Sequence, residues 1–247
     1  MARYFLSLQY LGSAYCGWQT QPEQPSVQQT IEEALSKLLG TATPIVGAGR
    51  TDTGVHASYY VAHFDSPREL EAKSDDFVYH LNCILPHDIS ILGLRRVADD
   101  AHARFDAISR RYDYYVSLRK NPFARHTSMH YSGELDIEKM NRAAELLLTT
   151  EDFTSFCKLH SDNKTNICNV THAKWVLKED NMLVFTIEAN RFLRNMVRAV
   201  VGTLIEVGRG KLTIEQFQKI IDTKDRCAAS ASAQPQGLFL SGVEYPY

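Results

Sequence analysis

Apolar residues in the first hundred positions recur with the periods of strands and helices. The segment RYFLSLQY (3–10) alternates apolar and polar residues, as a half-buried strand does. A first helix is predicted to begin at a capping box of Ser26 and Gln29 and to end at Gly40. A second helix is predicted over 74–85, ended by the proline that follows. The four predicted strands cover residues 3–10, 43–49, 57–64 and 88–97.

The second half repeats this order of elements without repeating the sequence. It begins with SRRYDYYVSL (109–118), whose period predicts a strand with Tyr112 and Tyr114 on one face. A hairpin is predicted to turn at residues 179–181. The other predicted elements are helices over 136–148, 191–208 and 213–222 and a closing strand over 237–245.

Each half therefore has the order β-α-β-β-α-β, with one extra helix in the second. This order is that of a ferredoxin-like fold, an antiparallel sheet with helices on one face. The predicted class is α+β, with an active-site cleft between the two halves. We place the N-terminal half at residues 1–104 and the C-terminal half at 105–247. Many unrelated proteins share this topology, so it does not decide the function.

Composition says more about the cellular compartment of the protein than about its function. The chain has 247 residues, 44% of them hydrophobic, and no apolar tract long enough to cross a membrane. Its first residues do not read as a signal peptide, and its five scattered cysteines fit a reducing cytoplasm. His126 and His130 have the spacing of two ligands on a helix, but the glutamate of a zinc motif is missing, so no metal is predicted.

The segment GAGRTDTGVHA (47–57) combines three glycines with an arginine and a carboxylate. A dinucleotide fingerprint fails because Asp52 stands where its last glycine should be, and a Walker loop fails for want of Gly-Lys-Ser/Thr. A turn that presents Arg50 and Asp52 remains. An ordinary hairpin turn with a surface ion pair explains the same residues.

Arginines supply positive charge despite a formal net charge of −2. On the predicted helix 191–208, Arg191, Arg194 and Arg198 fall on one face, where they repel one another unless an anion lies opposite. A phosphate backbone would supply that anion. A solvated basic face is the alternative reading. Arg110 and Arg111 precede tyrosines that either stack on bases or pack in the core.

Five motifs, in order, closely resemble the tRNA pseudouridine synthase A family. They are RTDTGVHA, AHARFDAISRRYDYYV, DFTSFCK, RFLRNMVRAVVGTLIEVGRG and GLFLSGVEYP, and the likeness covers essentially the whole chain. The resemblance implies an isomerase that converts uridine to pseudouridine in the anticodon stem-loop of tRNA, at nucleotides 38–40. It also implies a homodimer, tRNA as partner and no cofactor.

The resemblance assigns roles residue by residue. Asp52 matches the catalytic carboxylate, acting as a nucleophile or as a base. Arg50 matches a residue associated with handling the flipped base, and Tyr112 matches the active-site aromatic. Arg198 matches the ion-pair partner of the aspartate, and Leu238 matches a leucine that lines the base pocket. Contacts of Arg110, Arg111, Arg191 and Arg194 with the tRNA backbone are predicted from their charge.

Two other classes of function stay open. A binding-only module explains the arginines and tyrosines but leaves an acid inside a basic surface unexplained. A hydrolase would normally use two carboxylates, and no second acid recurs in the motifs. One departure from the family pattern is Thr53, where alanine is more common.

Overall fold

The chain divides into two units, within each of which most of the contacts between residues lie. A computed structural model describes residues 1–159 and 163–247. Residues 1–108 with 240–247 form the first unit, and residues 109–239 form the second. Both combine helices with mostly antiparallel strands, as the predicted class requires. No helix in the described part of the chain is long and apolar enough to cross a bilayer.

The first unit alternates strands and helices in the predicted order. The elements are β1 (Ala2–Tyr10), α1 (Val27–Leu39), β2 (Val46–Gly47), β3 (His56–Ser66), α2 (Ser74–Ile84) and β4 (Ile89–Arg96). The strands pair antiparallel in the spatial order β4-β1-β3-β2. The strand predicted over 43–49 is thus only two residues long, because most of that segment forms loop.

Alternating burial explains why these segments form the core of the first unit. In β1, Tyr4, Leu6 and Leu8 are fully buried while Gln9 is exposed. The apolar face of α1 is buried at Val27, Ile31, Ala34, Leu35 and Leu39. Burying such side chains is the main favourable term in folding.

The cap of α1 is simpler than predicted. Ser26 Oγ accepts a hydrogen bond from Gln29 N–H at 3.2 Å, and Gly40 ends the helix with φ +74°. Gln29 Nε2 donates to Glu33 Oε1 at 2.9 Å instead of returning to Ser26. The predicted capping box is therefore half formed, because a glutamate one turn later attracts the amide.

The second unit also combines strands with helices. Its elements are β5 (Ser109–Ser117), β6 (Met129–His130), α3 (Ile137–Glu145), β7 (Val170–Leu177), β8 (Met182–Ala189), α4 (Met196–Gly208) and α5 (Ile214–Thr223). The antiparallel strands have the order β5-β8-β7, and the short β6 pairs parallel to β5. The hairpin turns over Glu179–Asn181 as predicted, and Asp180 and Asn181 both have positive φ.

Helix α4 begins five residues later than predicted, at Met196. Asn195 has φ +65°, a left-handed conformation that interrupts a helix and that asparagine tolerates better than most residues. The carbonyl of Arg194 accepts Lys158 N–H at 3.0 Å, which holds this break in place. The prediction that Arg191, Arg194 and Arg198 share one helix face is wrong, because the first two precede the helix.

The last strand, β9 (Leu238–Glu244), begins in the second unit and continues in the first. Glu244 O accepts Ile108 N–H at 2.9 Å, and Tyr245 OH donates to Ala103 O at 2.6 Å. The ring of Tyr245 also packs edge-on against Phe5, with centroids 4.9 Å apart. The end of the chain is thereby part of the first unit, although the predicted division assigned it to the C-terminal half.

Candidate active site

The loop between β2 and β3 presents Asp52 at a tight turn. Val55 N–H donates to Asp52 O at 3.1 Å, which closes a four-residue turn. Gly54, its third residue, has φ +76°, the sign that a type II turn requires there. Asp52 is half-buried and Thr53 is exposed. The predicted turn is therefore present, and it displays the carboxylate.

Three buried aromatic residues, Tyr10, Trp18 and Tyr60, lie beneath this loop, and we call them the aromatic floor. The rings of Trp18 and Tyr60 stack with centroids 4.2 Å apart. Tyr60 OH donates to Gly49 O, and Tyr10 OH is hydrogen bonded to Thr51 Oγ1 at 2.8 Å. Both phenols thus satisfy polar groups of the loop, which fixes the chain directly before Asp52.

The segment after β1 holds the same loop from another side. Trp18 N–H donates to Thr51 O at 3.3 Å. Gly17 lies so close that a Cβ built on it would be 2.4 Å from Thr51 O and 3.2 Å from the Asp52 carbonyl carbon. The backbone of Thr51 and Asp52 is therefore held by its neighbours, so the position from which the carboxylate projects is fixed before any substrate binds.

Arg50 leaves the loop toward a polar cleft of about 140 Å³ in the first unit. Its side chain is exposed, and its Nε–H donates to Gln19 Oε1 at 3.2 Å. The lining residues are Trp18, Gln19, Gln28, Ile45, Val46, Gly47, Gly49, Arg50 and Arg104. Two arginines on one cleft suit an anionic or hydrogen-bonding ligand.

His63 of β3 holds the segment that carries Arg104. Its Nδ1 accepts Ala103 N–H at 3.1 Å, so in the neutral ring the proton is on Nε2. His102 packs edge-on against it with centroids 4.7 Å apart. Burial, helped by the charges of Arg3 and His102, lowers the pKa of His63 from 6.5 to about 4.

We expect the stability of the protein to fall as the pH is lowered from 6.5 toward 4, in part because of His63. In this range the unfolded chain binds a proton on His63 that the folded chain does not. The free energy of unfolding is unaffected by this group above pH 6.5 and decreases below it, by at most about 1.4 kcal/mol per pH unit. Calorimetric melting at several pH values, compared with His63→Gln, measures this. Equal slopes would contradict the assignment.

Tyr112 lies on β5, opposite Ile187 of β8. Its ring meets Phe192 edge-on with centroids 5.0 Å apart, and the residue is half-buried. This aromatic contact restrains the ring and leaves part of it accessible. The Tyr112 side chain is therefore only partly buried in the core of the second unit.

Arg198 and the segment leading to Leu238 are joined within the second unit. Arg198 Nε–H donates to Ala233 O at 2.8 Å, and Ala233 N–H donates to Arg198 O at 2.9 Å. Tyr114 OH donates to Gln234 O at 2.8 Å. Burial raises the pKa of Tyr114, while the Arg198 charge opposes that shift. Leu238, at the start of β9, is 5% exposed.

The four arginines predicted to contact RNA have different surroundings. Arg111 forms an ion pair with Glu188, with Nη2 3.0 Å from Oε2, so its charge is partly balanced. Arg110 Nη1 donates to Asn190 O at 2.9 Å. Arg191 is half-buried, and its charge opposes the burial that raises the pKa of Cys168 to about 11. Arg194 is exposed.

Among residues 1–159 and 163–247, no group of three or more His, Cys, Asp or Glu side chains is placed to hold a metal ion. His130 lies in β6 rather than on a helix, and His126 accepts Arg125 Nε–H at 2.6 Å. The spacing of these histidines therefore does not create a shared helical face.

Known proteins match the chain from end to end. It is 54% identical to the tRNA pseudouridine synthase A of Bacteroides thetaiotaomicron, over 100% of this chain and 91% of that relative. The chain belongs to the tRNA pseudouridine synthase A family. Another member of this family, from Francisella tularensis subsp. novicida, is 39% identical over 100% of this chain and 95% of its own length.

Two other similarities are weaker, because one covers only part of the chain and the other has low sequence identity. A family model described as tRNA pseudouridine synthase matches residues 143–246. A solved structure titled "Crystal Structure of a Cbf5-Nop10-Gar1 Complex" aligns with 96% of this chain and 57% of that chain, at 9% identity and a TM-score of 0.35. Membership in the tRNA pseudouridine synthase A family rests on the full-length relatives.

Of the predicted site residues, Arg50 and Asp52 lie on one loop of the first unit. Tyr112, Arg198 and Leu238 belong to the second unit. The aromatic floor was missed by the sequence reasoning, although the aromatic and glycine-rich segment YLGSAYCGWQ stands near the start of the chain. In this member of the tRNA pseudouridine synthase A family, that segment supports the loop that carries the acid.

Proposed function

We propose that this chain isomerises uridine to pseudouridine in tRNA, at nucleotides 38–40 of the anticodon stem-loop. One observation carries the proposal beyond family membership. Asp52 is presented on a turn, and the segment before it is held by two buried phenols, one bonded to the Gly49 carbonyl and one to the Thr51 hydroxyl. A carboxylate fixed in this way suits catalysis better than an ordinary surface ion pair, which needs no such support.

Isomerisation of uridine needs a carboxylate, and because uridine and pseudouridine have the same atoms it needs no second substrate. The bond between ribose and N1 of uracil breaks, the base turns, and a bond forms between ribose and C5. The proton on C5 is lost and N1 gains one, so atoms and electrons balance. Asp52 acts either as a nucleophile that holds an intermediate covalently or as a base that removes a ribose proton.

The other site residues are proposed to act on the same uridine. Arg198 pairs with the Asp52 carboxylate and fixes its direction, since a charge-assisted hydrogen bond is strong and directional. The bond from its Nε to Ala233 O supports this role, because it restrains the guanidinium. Tyr112 stacks on or abuts the uracil, and Leu238 limits access of water to it.

Extrusion of the target nucleotide is the proposed task of Arg50. A paired uridine is out of reach inside a stem, and unstacking it costs a few kcal/mol. An arginine side chain that enters the vacated space offsets part of that cost. The exposure of Arg50 and its position two residues from Asp52 support this role.

The surroundings of the reaction are proposed as follows. Arg110, Arg111, Arg191 and Arg194 contact the tRNA backbone, with Arg111 leaving Glu188 to do so. The protein is a homodimer in the cytoplasm, and each subunit consists of two ferredoxin-like halves. The strand order β4-β1-β3-β2 supports the first half, and five cysteines far apart in the sequence fit a reducing compartment. Light scattering measures the mass of the assembly directly.

Incubation of the purified protein with unmodified tRNA transcript in excess EDTA tests the function. We expect pseudouridine in the anticodon arm, mapped by chemical modification and mass spectrometry, without any added cofactor. Release of free uracil would identify a hydrolase instead. Tight tRNA binding without pseudouridine in several tRNAs would favour a binding module.

A further inference from the structure

Four polar side chains of the first unit form a continuous chain of hydrogen bonds that ends on Arg50. Arg50 Nε donates to Gln19 Oε1 at 3.2 Å, and Gln19 Nε2 donates to Gln28 Oε1 at 2.8 Å. Gln28 Nε2 donates to Glu32 Oε1 at 3.0 Å. We call Arg50, Gln19, Gln28 and Glu32 the amide relay.

The two ends of the amide relay determine its direction. A guanidinium can only donate hydrogen bonds, whereas an ionised carboxylate can only accept them. Each amide between them must therefore turn its oxygen toward Arg50 and its nitrogen toward Glu32. A flip of Gln19 or Gln28 would put two donors or two acceptors face to face. One orientation of both amides is thus strongly favoured, and bonds in such a chain strengthen one another.

The far end of the relay is anchored to backbone. Glu32 Oε1 also accepts Ile45 N–H at 3.0 Å, and Gln28 Nε2 also donates to Ile45 O at 3.2 Å. Gln28 Oε1 accepts Thr20 N–H at 3.2 Å as well. Gln28 and Glu32 lie one turn apart on α1. The helix therefore supplies a fixed base from which the two amides reach Arg50.

Within the amide relay, Arg50 donates only its Nε–H, to Gln19. A guanidinium has five N–H donors in one plane, so a bond at Nε fixes that plane and leaves the two terminal nitrogens to meet a ligand. Gln19, Gln28 and Arg50 all line the cleft of about 140 Å³. Without the relay, an exposed arginine would sample many rotamers and lose entropy on ordering.

We infer that Gln19 and Gln28 are positioning residues, which hold the Arg50 guanidinium in the orientation needed when the target nucleotide is extruded. This inference rests on the proposed function, in which Arg50 handles the flipped nucleotide. Gln19 acts through its direct bond to Arg50, and Gln28 acts through Gln19. Neither amide needs to touch the substrate.

A double-mutant cycle on Gln19 and Arg50 tests the inference. Single-turnover rates and tRNA affinity are measured for Gln19→Ala, Arg50→Ala and the double variant, with melting temperatures of each. We expect Gln19→Ala to lower the rate about tenfold, as loss of a hydrogen bond to a charged group does. In the Arg50→Ala background the same change should have almost no effect. Gln19→Glu keeps an acceptor for Arg50 but places a second acceptor against Gln28 Oε1, so its rate should lie between those of Gln19→Ala and wild type.

The matched control is Gln29→Ala, a neighbouring amide of α1 that is exposed and bonds only Glu33 by its side chain. Its rate should equal that of wild type. A nitrogen NMR signal from Arg50 Nε–H, protected in wild type and lost in Gln19→Ala, is expected independently of turnover. Additive losses in the cycle, or an unchanged signal, would overturn the relay. A wild-type protein that makes no pseudouridine would instead refute the proposed function.

Discussion

The Asp52→Asn variant is expected to bind tRNA as wild type does and to form no measurable pseudouridine, with a rate loss of roughly 10⁴-fold or more. Asparagine has nearly the same shape as aspartate, and the turn depends on the Asp52 carbonyl rather than on its side chain. An amide can neither attack ribose or base nor take up a ribose proton. Single-turnover assays and filter binding with the same transcript measure the two quantities.

Thr53→Ala is the matched control for this variant. Thr53 is the next residue of the same turn, and its side chain is exposed. We expect near wild-type rates, which would show that the turn tolerates a substitution beside the acid. If Asp52→Asn kept substantial activity, another carboxylate would have to perform the reaction. A parallel loss of tRNA affinity would indicate a misplaced loop.

Gly17→Ala is expected to cost stability and activity together. Gly17 has φ +94°, which alanine rarely adopts, and the added Cβ would lie 2.4 Å from Thr51 O. Strain and overlap together should lower the free energy of unfolding by about 3 kcal/mol. For a chain of this size, that corresponds to a melting temperature lower by roughly 10 °C. Because Thr51 precedes Asp52, the rate should fall even where the variant is fully folded.

Gly210→Ala separates strain from overlap. Gly210 also has positive φ, +69°, but a Cβ there would meet nothing within 4 Å. We expect a cost of about 1 kcal/mol and no change in rate. Thermal melting and single-turnover assays on both variants give the comparison. Equal behaviour of the two proteins would mean that the Thr51 backbone yields to the extra atom without displacing Asp52.

Most elements were predictable because their burial follows the period of the sequence. The alternation of β1 and the apolar face of α1 each recur along consecutive residues, so local pattern decides them. The start of α4 was not predictable in this way, since its apolar period continues back through Leu193. The helix is interrupted at Asn195 next to a backbone bond from Lys158, a residue distant in sequence. The period of apolar residues along a segment carries no information about such a distant contact.

The candidate site likewise contains features set by local sequence and features set by contacts between residues distant in sequence. The turn at Asp52 was predictable, because glycine and neighbouring polar residues determine its local geometry. The bond that Tyr60 donates to the loop and the bond that Arg50 donates to Gln19 were not predictable, since Gln19 and Arg50 are 31 residues apart. Aromatic and amide residues are common in cores and on surfaces, so their types alone do not reveal such partners.

The placement of β9 has a consequence for synthesis on the ribosome. Domains generally fold as units, with the N-terminal one first. Here the unit that carries Asp52 includes residues 240–247, whereas residues 109–239 form a continuous unit made before them. The bond from Tyr245 to Ala103 cannot form until translation has passed β9. The second unit is therefore complete first, and a nascent chain acquires the finished unit that carries Asp52 only when β9 has emerged.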